Sequence, residues 1–179
     1  ELHKGEILGF SGLMGAGRTE IMEGIFGARK GVKGTLYIDG KKLSIKGPRE
    51  SIKHGIGFVT EDRKGDGLVL ELSVKENVIL PNFSRVSSKG FLQKKREESF
   101  VDELIKKLSI KTAGRDQIVK SLSGGNQQKV VVGKWLGIEP KVLILDEPTR
   151  GVDVGAKKEI YEIMNELTEH GVAIIMVSS

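Results

Sequence analysis

The chain has 179 residues, enough for one domain with a sizeable core. Its 38% apolar and 30% charged residues are the balance of a globular fold, and no apolar run approaches the roughly eighteen residues of a membrane-spanning helix. There is no cysteine, which excludes disulfides, and the net charge of +5 comes from Lys and Arg interspersed with Asp and Glu, as over residues 94–107, which argues against a nucleic-acid partner.

In chain order, Ile7-Leu8-Gly9-Phe10 reads as a buried strand. A glycine-rich turn follows, then a helix over about 17–26. Thr35-Leu36-Tyr37-Ile38 is strand-like and ends at Asp39-Gly40, a two-residue hairpin signal. Pro48 is placed to open a short helix, and Ile56-Gly57-Phe58-Val59 is a further strand. Residues 60–72 read as a polar loop. Ser73 and Glu76 have capping-box spacing, so a helix is expected to start there. Residues 81–92 read as a loop. Phe100, Leu104, Ile105 and Leu108 share one face of a helix over 93–108. A second helix is expected over about 126–137, with Trp135 as a packing residue. Residues 142–145 form a buried strand, 155–169 a helix and 172–177 a last apolar strand. Strands near 7, 56, 142 and 172 alternate with helices, which predicts an α/β domain on a mostly parallel core sheet, with a small antiparallel β portion. The stretch from about 73 to 137 shows helices and no clear strand, and is expected to be a helical subdomain inserted between two core strands.

Gly12-Leu13-Met14-Gly15-Ala16-Gly17-Arg18-Thr19 matches the phosphate-loop pattern G-x-x-x-x-G-K-S/T at every position but one, between a strand and a helix. Small residues let backbone N–H groups converge on a phosphate chain, and the helix N-terminus adds about half a positive charge. The Thr19 hydroxyl is suited to Mg²⁺. Arg18 is the departure: its guanidinium is planar and forked where lysine offers a point charge. Glu20 is a second oddity, because a carboxylate in that first helical turn suits the helix dipole but repels a phosphate.

Residues 142–145 lead into Asp146-Glu147-Pro148, an apolar strand that ends in two acids. Ligands of open α/β sheets collect at such carboxyl ends. Asp146 is placed to serve Mg²⁺, and Glu147, expected on the opposite side of the pleat, to polarise an attacking water. Leu122-Ser123-Gly124-Gly125-Asn126-Gln127-Gln128 precedes another helix and offers a second anion site: a hydroxyl, glycine N–H groups and a helix N-terminus. One domain has little use for two such sites on separate elements, so this one is expected to complete the nucleotide pocket of a partner domain.

Together these motifs, in this order and with Gly151-Val152-Asp153 after them, resemble the nucleotide-binding domain of ATP-binding-cassette (ABC) transporters along nearly the whole chain. Glu61-Asp62-Arg63-Lys64, the run 122–129, the run 148–155 and Arg18-Thr19-Glu20 resemble more closely the second cassette of the double-cassette ATPase subunits of bacterial monosaccharide importers of the ribose, galactose and xylose type. The resemblance implies a P-loop NTPase fold and a single cassette cut short at both ends. It also implies Mg-ATP as cofactor, Thr19 and Asp146 as Mg²⁺ ligands and Glu147 as the catalytic acid. Glu61 and Asp62, in the loop that senses the membrane subunit, and Asp153, between cassettes, would be coupling residues. Asn126 stands where most relatives carry Gln, and Glu61 or a neighbour where the family carries Gln. A switch histidine and an adenine-stacking aromatic would lie outside the chain; His54 and His170 are expected at the surface. The implied partners are a second cassette, transmembrane permease subunits and, indirectly, a periplasmic sugar-binding protein, on the cytoplasmic face of the bacterial inner membrane. Two other readings stand beside ATP-driven sugar import: a regulatory cassette that holds ATP with little turnover, and an ABC-type ATPase acting on nucleic acid or ribosomes.

Overall fold

The computed structural model describes residues 1–13 and 15–178. Strand β1 (Ile7–Ser11) runs into the glycine-rich loop and helix α1 (Arg18–Phe26). Strands β2 (Leu36–Ile38) and β3 (Lys41–Leu43) make an antiparallel hairpin. Its turn is Asp39-Gly40, both at positive φ, as a two-residue turn between twisted strands requires. Helix α2 (Pro48–Lys53) has Pro48 in its first turn and leads into β4 (Ile56–Val59). The remaining core strands are β7 (Val142–Asp146) and β8 (Ala173–Ser178), joined by α7 (Val154–Glu169).

These four strands form one parallel sheet in the order β1-β8-β7-β4. Leu143, Ile144, Leu145, Ile174 and Val177 are buried, because helices cover both faces. Phe26 of α1, Phe58 of β4 and Trp135 pack as an aromatic cluster, with centroids 5.5 Å and 5.4 Å from Phe26 and Trp135 edge-on to it. Trp135 is thus the packing residue expected.

Between β4 and β7, neighbours in the sheet, the chain makes α3 (Val74–Ile79), α4 (Phe83–Val86), α5 (Lys94–Lys107) and α6 (Gly124–Leu136). The capping box forms in full: Ser73 Oγ accepts from the Glu76 N–H at 3.2 Å, and Glu76 Oε2 accepts from the Ser73 N–H at 2.8 Å. On α5, Val101 and Leu104 are buried and Phe100 and Ile105 pack beside them, so the expected apolar face forms and Val101 joins it.

Residues 81–92 are not a plain loop, and the insert is not free of strands. They hold α4 and a hairpin of β5 (Ser87–Ser88) and β6 (Phe91–Leu92). Its turn is Lys89-Gly90, at φ 51° and 84°, where the sequence rule looks for Asn or Asp before Gly. Arg85 fixes this segment by donating to Gly137 O and Glu139 Oε1, each at 2.6 Å. Helix α6 also starts at Gly124, two residues before the expected boundary, because Ser123 caps it. His54 and His170 are exposed, as expected.

Candidate functional site

The loop after β1 turns through Gly15 and Gly17, at φ 82° and 80°. A side chain at either position would be strained, and the turn would lose its shape. The Ala16 N–H donates to Leu13 O at 3.1 Å, while Leu13 itself projects into solvent. Met14 lies outside the described residues. Gly12 sits beside the Arg18 stem. The Arg18 guanidinium is engaged with the sheet: its Nη1 donates to the carbonyl of Ser178, at the end of β8, at 2.6 Å.

The base of the site is the Thr19–Asp146 contact. Thr19 Oγ1 donates to Asp146 Oδ2 at 2.6 Å, which ties the first turn of α1 to the end of β7. Asp146 is 1% exposed, and its Oδ1 has no hydrogen-bond partner. Burial holds its carboxyl above the ordinary value; the Thr19 bond opposes this, the Glu147 charge adds to it and Arg18 opposes it. A buried carboxylate oxygen with no donor, beside a hydroxyl, fits a hard cation that takes oxygen ligands. Among the described residues no group of three or more His, Cys, Asp or Glu forms a cation site of its own. A cation here would therefore draw its other ligands from a bound anion and water.

Glu147 lies beyond the strand. Its φ is 46° and its N–H donates to Val177 O at 3.0 Å. The left-handed backbone, not the pleat, therefore sets where its side chain goes, which corrects the expectation of simple alternation. Gly15, Ala16, Gly17, Arg18, Thr19 and Glu20 line a cleft of about 420 Å³ together with Asp146, Glu147 and Glu61. Glu61 forms an ion pair with Arg150. Beyond that pair lies a second cleft of about 570 Å³, lined by Thr60, Asp62, Arg63, Lys64 and Asp66. Asp62 is occupied with its own loop, accepting from the N–H groups of Lys64 at 3.0 Å and Gly65 at 2.9 Å.

Leu122, Ser123, Gly124, Gly125, Asn126 and Gln127 line neither cleft. Gly124 and Asn126 are part-exposed at the start of α6, while Gly125 is buried. Ser123 is exposed; its Oγ accepts from Asn126 Nδ2 at 2.9 Å. Asn126 Oδ1 in turn accepts from the Lys111 N–H at 2.8 Å. Leu122 and Gln127 are buried, and Gln127 Nε2 donates to Val119 O at 3.2 Å. Gly125 is the close approach: a Cβ there would lie 2.5 Å from that of Ala156 on α7. Asp153 caps α7, accepting from the Ala156 N–H at 2.9 Å, a bond that holds its carboxyl below the ordinary value.

Sequence reasoning gave no role to Arg150, Lys157, Tyr161 or Ser178, all of which line the first cleft. Arg150 had a signal, since it lies between Glu147 and Asp153 in a run already singled out. The other three come from the face of α7 and the end of β8, and only the sheet order brings them near the phosphate-loop pattern.

A family model described as ABC transporter matches residues 1–150. The chain is 63% identical over 175 residues to the ribose import ATP-binding protein RbsA of Halalkalibacterium halodurans, covering 98% of this chain and 35% of that protein. It is 62% identical over 178 residues to the protein of the same name in Bacillus subtilis, covering 99% and 36%. The chain thus spans about a third of the length of these curated relatives. Among solved structures, a nucleotide-free ATP-binding cassette from an ABC transporter superposes with a TM-score of 0.82 at 25% identity, covering 99% of this chain and 72% of that one. A dimeric cassette in a post-hydrolysis state with ADP and Pi gives the same TM-score at 24% identity, covering 99% and 76%, and shows the shared fold. With the motif order, the parallel sheet and a family match over most of its length, this chain belongs to the ABC transporter family.

Proposed function

We propose that this chain is a cassette that binds Mg-ATP and, with a second cassette, hydrolyses it to power monosaccharide import across the bacterial inner membrane. Ribose is the sugar named in the relatives' description. The observation that carries the reading is the Thr19–Asp146 pair with its unpartnered Oδ1 at the base of a glycine-rich loop. In this reading Gly12, Leu13, Met14, Gly15, Ala16, Gly17, Arg18, Thr19 and Glu20 surround the phosphates, and Thr19 and Asp146 hold Mg²⁺. The ion supplies charge neutralisation of the phosphates. Glu147 orients and deprotonates the attacking water. Ser123, Gly124 and Gly125 offer a hydroxyl and N–H groups to the nucleotide of the partner cassette, with Leu122, Asn126 and Gln127 holding that face in shape. Glu61 and Asp62, in the loop after β4, and Asp153, at the start of α7, carry the coupling to permease and partner cassette.

The residues from about 73 to 137 act as a helical subdomain in this reading. No helix of the described residues is long and apolar enough to cross a membrane. A peripheral position on the cytoplasmic face, beside permease subunits that receive sugar from a periplasmic binding protein, fits this.

A second reading has its own observation. Arg18 is engaged with Ser178 O, and Glu20 adds a carboxylate to the lining of the cleft, which suits a regulatory cassette that holds nucleotide with little turnover. Glu147→Gln decides between the two in a double-cassette subunit. Loss of a general base lowers turnover by about 10²–10⁴ at the affected site. A fall in steady-state ATPase with Mg-ATP binding retained supports hydrolysis here; unchanged turnover assigns this cassette to the regulatory reading.

A further inference from the structure

The two clefts share Thr19, Glu61 and Arg150, so the Glu61–Arg150 pair stands as the wall between them. Glu61 comes from the loop after β4 and Arg150 from the turn after β7. Those strands are neighbours, so the pair bridges the carboxyl ends of adjacent strands beside the phosphate loop. The Arg150 N–H donates to Glu147 O at 3.0 Å, which fixes the turn that presents the guanidinium.

The charge around this wall gives the pair its meaning. Besides Glu61, the phosphate-loop cleft is lined by the carboxylates Glu20, Asp146 and Glu147, against the cations Arg18, Arg150 and Lys157. Arg18 is already committed to a backbone carbonyl. An uncompensated Glu61 would add a repulsive charge at close range to any polyphosphate in the cleft.

We propose that Arg150 is a positioning residue for nucleotide binding. It acts through Glu61, neutralising that carboxylate and keeping it turned from the phosphates, and it closes the phosphate cleft against the second one. The inference rests on the Mg-ATP reading above. The pair contributes little to folding, since the side chains are 61% and 35% exposed and such pairs are screened by water. Its effect belongs to the bound state.

The test is a four-member cycle in the 179-residue chain: parent, Arg150→Ala, Glu61→Gln and the double variant. Each is titrated with Mg-ATP and melted without nucleotide. Arg150→Ala is expected to weaken Mg-ATP binding about tenfold while leaving the nucleotide-free melting temperature in place. The double variant is expected within about threefold of the parent, because the charge that Arg150 neutralised has gone with it. Glu61→Gln alone, which frees Arg150, is expected to tighten binding about threefold. Unchanged affinity in Arg150→Ala overturns the inference. So does a double variant as weak as Arg150→Ala, since Arg150 would then touch phosphate directly. If Arg150→Ala does not fold, unchanged affinity in Glu61→Gln overturns it as well. Failure of the parent to bind Mg-ATP overturns the underlying reading, and this inference falls with it.

Discussion

Asp146 concentrates the site's electrostatics in one buried carboxyl. Its pKa is raised, chiefly by burial, so the folded chain binds this proton more tightly than the unfolded chain. Ionised Asp146 therefore costs stability above the folded pKa, and the cost vanishes as the pH falls through that value to the ordinary carboxylate range. Asp146→Asn keeps an acceptor for the Thr19 hydroxyl and removes the charge. At pH 7 without Mg²⁺ the variant is expected to melt above the parent, with the gap narrowing as the pH falls towards 4, roughly where ordinary aspartates titrate. Thermal melts across that range check it. Adding Mg-ATP should raise the parent's melting temperature and not the variant's, because only the parent keeps the charged oxygen that suits a hard cation.

At the scale of elements, local chemistry decided where helices begin. The Ser73–Glu76 capping box was legible from spacing alone and forms as the pattern demands. Replacing Ser73 with Ala leaves the Glu76 N–H without its acceptor and is expected to cost about 1 kcal/mol, read from urea unfolding midpoints at constant slope. Helix α6 starts ahead of its expected boundary for the converse reason. Gly124-Gly125 discourages a helix assignment, but Ser123 caps the turn and the packing on α7 requires a residue without a side chain. The 81–92 segment departs from the expected loop because α4 and the β5–β6 hairpin are too short for periodicity to register. Arg85 and Asn82 secure the segment through long-range bonds, Asn82 Nδ2 donating to Lys134 O at 2.8 Å.

At the scale of the molecule, the close contact of Gly125 with Ala156 joins the last helix of the insert to the helix that follows β7. A methyl at Gly125 must push α6 and α7 apart. Gly125→Ala is expected to cost roughly 1–3 kcal/mol of stability, measured by denaturant titration, in spite of alanine's better helix propensity. Recovery of the parent's midpoint by Ala156→Gly in the same chain would place the cost in that contact; no recovery would place it elsewhere.

The parallel α/β architecture, the phosphate-loop pattern, the acidic end of β7 and the run before α6 were all legible in the sequence, because each depends on local spacing: strand and helix periodicity, turn glycines and caps. Arg18's engagement with Ser178, the left-handed turn at Glu147 and the Glu61–Arg150 wall were not legible. The sheet order β1-β8-β7-β4 makes neighbours of strands far apart in the chain, and the side chains at their carboxyl ends find partners across that edge. Motif spacing identified the residue types of a candidate phosphate site; the tertiary structure decided which of their charges are already spent on the protein itself, because those partners meet only when the sheet closes.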